Sequence, residues 1–144
     1  MRGSIALEFL LVLLAVTMYA GVVLTAAQTV STSVAQDMSK MTRTRVAMDK
    51  IYNAVQFLSA GADGSSTTVV FYVPSSVTIT LQNKEIEANV PTDGNYASVP
   101  GCTATYCIFK LTNLPLDFQD KNTFTGGVYY SPVFTRAGGK VKVS

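Results

Sequence analysis

The sequence predicts an α+β fold: a long N-terminal α-helix, apolar enough for a membrane or a filament core, followed by a small antiparallel β-rich globular head domain. Three observations predict it. The stretch from Ser4 to Ala27 is almost wholly apolar. Apolar residues then recur at three- and four-residue intervals to about residue 60, which is the spacing of one face of a helix. From Ser66 onward apolar and polar residues alternate, as in half-buried strands.

The length of 144 residues, 48% of them hydrophobic, leaves room for one helix and one small outer domain. Glycine and serine residues after residue 60 supply a helix stop and a linker. We therefore expect a leader at 1–3, an N-terminal helix at 4–60 with its transmembrane or filament-core part at 4–27, a linker at 61–66, and an extracellular head at 67–144.

The N-terminal apolar stretch contains one charged residue, Glu8. Its length is enough to cross a bilayer, because about 20 apolar residues span roughly 30 Å of hydrocarbon. A carboxylate in such surroundings is costly unless a cation pairs with it, so it indicates a functional residue with a partner. Cleavage between Gly3 and Ser4 would create that cation, the α-amino group of Ser4. We predict a charge pair between Glu8 and the Ser4 amine of a neighbouring copy.

These N-terminal residues resemble those of type IV prepilins. The shared pattern is a short basic leader ending in Gly3, a cut before a small residue, a glutamate fifth after the cut, and an apolar helix. The short leader and the run Ser4-Ile5-Ala6-Leu7-Glu8-Phe9 are most similar to archaeal pilins with class III signal peptides. That family usually has Gln directly after the cut, where this chain has Ser4. The related archaellins generally lack the glutamate, so Glu8 favours a pilus.

The resemblance implies a structural subunit of an archaeal type IV pilus, an extracellular adhesion filament at the cell surface. It implies a single-pass precursor in the cell membrane before assembly. The implied partners are copies of the same chain in a helical polymer, a prepilin peptidase, an assembly ATPase and a membrane platform protein, with no nucleic acid expected. The residues expected to pack in the filament core are Ile5, Leu7, Phe9, Leu10, Leu13, Leu14, Thr17, Met18, Gly21, Val22, Leu24 and Thr25.

Small residues repeat every four positions along the same helix. They are Thr17, Gly21, Thr25, Thr29 and Ser33. A ridge of small residues lets helix backbones approach closely in an apolar medium. Threonine and serine hydroxyls also bond to carbonyls of their own helix, which is the alternative explanation.

Three other functions share these features. A minor pilin or pseudopilin of a secretion or surface machine would have the same N-terminus. A monomeric membrane-anchored extracellular binding module would keep its first residues and form no polymer. An uncleaved signal anchor would place Glu8 near the headgroups.

Catalysis is not expected. The chain contains no histidine, which removes the commonest general base and the commonest metal ligand, and we expect no cofactor and no metal. Glu85 and Glu87 would share one face of a strand, and an exposed polar face explains them better than a catalytic pair. The basic residues Lys40, Arg43, Arg45 and Lys50 are interrupted by Asp49 and preceded by Asp37. This cluster is interpreted as a solvated or intersubunit face.

The head is predicted from its alternating segments and its two cysteines. Strands are expected at 68–73, 77–81 and 85–90 as a meander, and then at 103–112, 127–135 and 140–143, with a hairpin turn at Arg136–Gly139. Cys102 and Cys107 are expected to form a disulfide, because a small extracellular domain has a marginal core and benefits from a cross-link.

Overall fold

A computed structural model of the chain describes residues 2–94 and 96–144, with side chains described for 10–22, 32–94 and 96–144. The chain divides into two compact units, Met1–Ala35 and Gln36–Ser144. Helix α1 runs over Arg2–Ala60, so its second half belongs to the same unit as the strands. The helix ends directly before Gly61, where the sequence predicts a stop.

The predicted fold class is wrong in its membrane-spanning apolar helix. No helix among the described residues is both long enough and apolar enough to cross a membrane. The α+β composition itself, with antiparallel-rich sheets, agrees with the structure.

The strands of the described residues form three sheets. They are β1 Ser66–Thr68, β2 Phe71–Val73, β3 Thr78–Gln82, β4 Glu85–Pro91, β5 Tyr106–Leu111, β6 Asp117–Phe118, β7 Asn122–Thr125, β8 Val128–Tyr130, β9 Val133–Ala137 and β10 Lys140–Val143. The sheet orders are β1-β9-β10-β6, β2-β8 and β5-β4-β3-β7. The pairs are antiparallel except β6 with β10. Of the predicted meander over 68–73, 77–81 and 85–90, the last two strands are confirmed as the antiparallel pair β3-β4. The first is divided between β1 and β2, which lie in other sheets, and β6 and β7 were not predicted.

A tight hairpin turn fixes the register of β9 and β10. Gly138 and Gly139 both have positive φ, 59° and 76°, between the paired residues Ala137 and Lys140. This is the conformation of a two-residue turn that matches the twist of the strands, and glycine adopts it without steric cost. The predicted turn at the end of the chain is therefore confirmed.

The hydrophobic core of the second unit combines α1 with the strands. Met48, Ile51, Val55 and Leu58 of α1 are buried in one cluster with strand residues such as Phe134. The second half of the helix therefore packs against the strands of the same unit. Val34 and Met38, which continue its three- and four-residue apolar spacing, are exposed instead.

Two polar residues take core-facing positions further up the same helix. Asp37, Thr44, Ile51 and Leu58 follow one another at seven-residue intervals, or about two turns, and all four are completely buried. The Thr44 hydroxyl donates a hydrogen bond to the Lys40 carbonyl at 2.7 Å, which satisfies it within the helix. The buried face of α1 therefore changes from apolar to polar between Ile51 and Thr44.

Arg136 closes the C-terminal end of α1. Its Nη1 donates to the carbonyls of Leu58 at 3.3 Å and Ser59 at 3.0 Å, and also to that of Gly61. Its Nε donates to Asp63 at 3.1 Å. The last carbonyls of a helix have no partner within the helix, so this side chain on β9 supplies donors that the helix lacks.

The predicted disulfide between Cys102 and Cys107 is confirmed. The two residues face each other as an isolated antiparallel bridge at the start of β5. Within the loop that the bond closes, the Thr103 hydroxyl accepts hydrogen bonds from the amides of Thr105 and Tyr106 at 3.3 and 3.2 Å. The loop is therefore held by both a covalent bond and local hydrogen bonds.

Candidate assembly surface on the N-terminal helix

The segment 10–22 of α1 exposes large apolar side chains. Leucine, alanine and methionine favour the helical state here, and no proline interrupts it. The exposed fractions run from 47% at Leu14 to 73% at Tyr19. The exposed large apolar residues of this segment are Leu10, Leu11, Val12, Leu13, Leu14, Val16, Met18, Tyr19 and Val22.

These side chains face every direction around the helix axis. Successive residues of an α-helix are rotated by about 100°, so the five consecutive apolar residues from Leu10 to Leu14 already encircle it. An ordinary surface helix keeps one polar face for water, and this segment has none. Burying one such side chain is worth about 1.5 to 3 kcal/mol. The segment therefore gains stability wherever apolar surfaces surround it.

Thr17 and Gly21 lie one turn apart within this segment and interrupt its large side chains. The Thr17 hydroxyl donates to the Leu14 carbonyl at 2.9 Å, so its polar group is satisfied by its own helix. A Cβ added at Gly21 would meet no atom of this chain within 4 Å. The two residues form a shallow strip that another helix can approach closely.

Several residues predicted for assembly lie outside the described side chains. They are Gly3, Ser4, Ile5, Leu7, Glu8, Phe9, Leu24 and Thr25, together with Thr29 of the small-residue ridge. The cleavage site and the Glu8 charge pair stay predictions.

Asp37, which precedes the basic cluster, is not solvated, whereas Arg43, Arg45 and Lys50 of the cluster are exposed. The Asp37 side chain is completely buried, and its Oδ2 accepts hydrogen bonds from the amides of Asp93 at 3.0 Å and Gly94 at 2.9 Å. The Lys40 ammonium lies 3.7 Å from Asp37 Oδ1 and 3.8 Å from Asp93. Asp37 thus fastens the loop after β4 to α1. Asp37, Thr44 and Ile51 follow one another at seven-residue intervals, and this spacing in the sequence could have predicted that Asp37 is buried.

Tyr96 shares the buried surroundings of Asp37. Its hydroxyl is enclosed, and neither it nor Asp37 Oδ1 has a hydrogen-bond partner of good geometry among the described residues. Burial, and then the negative charge of Asp37, raise the pKa of the Tyr96 hydroxyl above its ordinary value. The neutral phenol is therefore the favoured form beside the carboxylate.

The arrangement of the Glu85 and Glu87 carboxylates does not indicate a catalytic pair. Glu87 lies 2.7 Å from the Lys110 ammonium, its cross-strand neighbour on β5. Hydrogen bonding to Glu87 raises the pKa of Lys110. Within the described part of the chain, no group of three or more acidic or cysteine side chains is placed to hold a metal ion.

Comparison with known proteins found no relative of this chain. No protein-family model, no curated protein and no solved structure matches this chain. Any function assigned to the chain therefore depends on its residues and their geometry.

Proposed function

We propose that this chain is the structural subunit of a cell-surface filament of the archaeal type IV pilus kind. One observation carries the proposal: the segment 10–22 exposes large apolar side chains around its whole circumference. Such a segment is covered when α1 segments of other copies pack around it. The second unit, with its own hydrophobic core, then forms the outer, globular part of each subunit.

The all-round distribution of apolar side chains favours a polymer over a dimer. A single partner helix covers one side of α1 and leaves the opposite side in water. Several neighbours are needed to cover Leu10, Val12 and Leu13, which point in different directions. A helical array of identical subunits supplies those neighbours with one repeated interface.

Glu8 has the role of a recognition residue in this proposal. A prepilin peptidase removes residues 1–3, and the new Ser4 amine pairs with Glu8 of an adjacent subunit. A subunit docked out of position leaves that carboxylate buried and unpaired, which is strongly unfavourable. Assembly uses an ATPase and a platform protein, as the prepilin resemblance implies.

The variant Glu8→Gln tests the charge pair. It keeps the shape of the side chain and removes its charge, so we expect processed subunits that enter filaments at a yield reduced at least about tenfold, since a lost buried pair costs more than 1.4 kcal/mol. The measurement is the amount of the chain in filaments sheared from the producing cells, with N-terminal sequencing of the same material. Glu85→Gln is the matched control, because Glu85 is exposed on the head. Wild-type filament yield from Glu8→Gln would refute the pair, and native copies that retain residues 1–3 and form no polymer would refute the proposed function.

The variant Gly21→Leu tests the close approach of helices. The added side chain has open space within its own chain, and leucine favours a helix more than glycine does. We expect unchanged helix content by circular dichroism in detergent, and few or no filaments by electron microscopy, because the strip beside Thr17 is filled. Ala15→Leu places the same side chain on an exposed position of the opposite side of the helix, about 120° or more from both Thr17 and Gly21, and should assemble better. Equal assembly of the two variants would contradict the strip.

A further inference from the structure

A cleft opens on the surface of the second unit between α1 and the two-stranded sheet β2-β8. Its volume is about 340 Å³. Its lining includes Thr42, Arg43, Val46, Lys50, Tyr72 and Tyr129. Two core residues, Ala47 and Phe71, also line it, and the proposed assembly surface at 10–22 does not contribute to it.

Two cations line the cleft, and neither pairs with a carboxylate of the described residues. The Arg43 guanidinium lies 5.9 Å from the centre of the Tyr72 ring, a cation–π contact that orients it. The Lys50 ammonium donates one hydrogen bond to the Val70 carbonyl at 2.9 Å, which leaves two of its three donors. Neither cation takes part in the ion pairs formed among the described residues. The cleft therefore offers donors and positive charge to a ligand.

An exposed aromatic ring forms one wall. Tyr72 and Tyr129 are directly opposite each other on β2 and β8, with ring centres 4.9 Å apart and planes tilted by 46°. Arg43 covers Tyr72, whereas Tyr129 is 76% exposed. The free ring beside an unpaired guanidinium suits a ligand that has both an apolar face and a carboxylate.

We propose that this cleft binds an acidic polysaccharide, with the C–H face of one sugar ring on Tyr129 and its carboxylate on the Arg43 guanidinium. Carboxylate and guanidinium groups form paired, charge-assisted hydrogen bonds. Lys50 lies seven residues further along α1, about 10 Å along its axis, and binds a second carboxylate of the same extended chain. The Thr42 hydroxyl lines the cleft beside Arg43 and meets the sugar hydroxyls.

The surroundings favour an acidic glycan over a nucleic acid. Single-stranded nucleic acids bind along a basic groove with aromatic rings for successive bases. Here one ring face is free, two cations line the cleft, and the whole chain has a net charge of only +2. A single sugar with its carboxylate needs one ring and one guanidinium, which the cleft supplies.

The test measures binding to the full-length chain in a nonionic detergent, so that it does not depend on filament assembly. The probe is an oligogalacturonate of defined length, and the neutral reference is a dextran oligomer of the same length. We expect binding of the acidic oligomer and none of the neutral one. Arg43→Gln should weaken it about tenfold or more, since a charge-assisted hydrogen bond contributes at least about 1.4 kcal/mol. Tyr129→Ala should also weaken it, because the sugar ring loses the aromatic face on which it packs.

Arg45→Gln is the matched control, because it removes the same charge two residues away, from an arginine that lines a different cleft with Lys110. It should change the affinity by less than about threefold. Oligodeoxythymidine and polyglutamate are the competing probes. Equal or tighter binding of either one, equal effects of Arg43→Gln and Arg45→Gln, or no binding of oligogalacturonate would each overturn the proposal. Failure of any kind here would leave the filament proposal unaffected.

Discussion

Gly126→Ala is expected to destabilise the second unit by about 3 kcal/mol or to prevent its folding. A Cβ at this position would lie 1.9 Å from the Pro74 carbonyl oxygen, 2.8 Å from the Pro74 carbonyl carbon and 2.9 Å from the Ser76 nitrogen. All three are backbone atoms next to β2, so no side-chain rotation relieves the clash. Thermal unfolding followed by circular dichroism should show a melting temperature lower by on the order of 10 °C or more.

Gly138→Ala is the control for Gly126→Ala. A Cβ at Gly138 meets no atom within 4 Å, and its cost comes only from the positive φ of 59°. That cost is about 1 to 2 kcal/mol. A melting temperature for Gly126→Ala that equals or exceeds that of Gly138→Ala would contradict the close backbone contact.

Asp37→Ala is expected to destabilise the same unit by about 2 to 4 kcal/mol. The substitution removes the acceptor of the Asp93 and Gly94 amides from a completely buried position and leaves Lys40 without its nearer carboxylate. Urea denaturation of the full-length chain should show a lower midpoint. The Gly94 amide should exchange its hydrogen with solvent faster, because its hydrogen bond is lost.

Two further variants separate the buried role of Asp37 from a general charge effect. Asp37→Asn keeps an acceptor oxygen and loses the charge, so its midpoint should lie between those of Asp37→Ala and the wild type. Asp49→Ala removes an exposed carboxylate from the same helix and should shift the midpoint little. Equal shifts for Asp37→Ala and Asp49→Ala would show that the two amide contacts contribute nothing measurable.

The parts of the head that the sequence predicted are those with a strong local pattern. The alternation over β3 and β4 and the glycine pair at 138–139 depend on neighbouring residues, and the structure confirms both. Strand β6 has two residues, Asp117 and Phe118, which are too few to show an alternation. Strand β7 carries one buried apolar residue, Phe124, between polar ones. These short strands form because longer strands lie beside them, and a local pattern does not contain that information.

The candidate site was only partly predictable for a related reason. Apolar character identified Leu10, Leu13, Leu14, Met18 and Val22, and their exposure within one chain agrees with surfaces that other copies cover. The same apolar character led to the wrong prediction of a membrane-spanning helix. Asp37 precedes an exposed basic cluster, whereas its position in phase with Ile51 places it inside. At Asp37, burial follows from the side of the helix on which the residue lies, and not from whether its side chain is charged.

The polar contacts at the two ends of the packed part of α1 have a mechanical consequence. Asp37 holds two loop amides near one end, and Arg136 holds the last carbonyls at the other, about 30 Å away along the axis. A pulling force along the helix stretches both groups of hydrogen bonds at once, together with the apolar contacts of Ile51 and Leu58 between them. Resistance to tension is thereby shared over the whole length of the packed segment, and no single bond has to yield first.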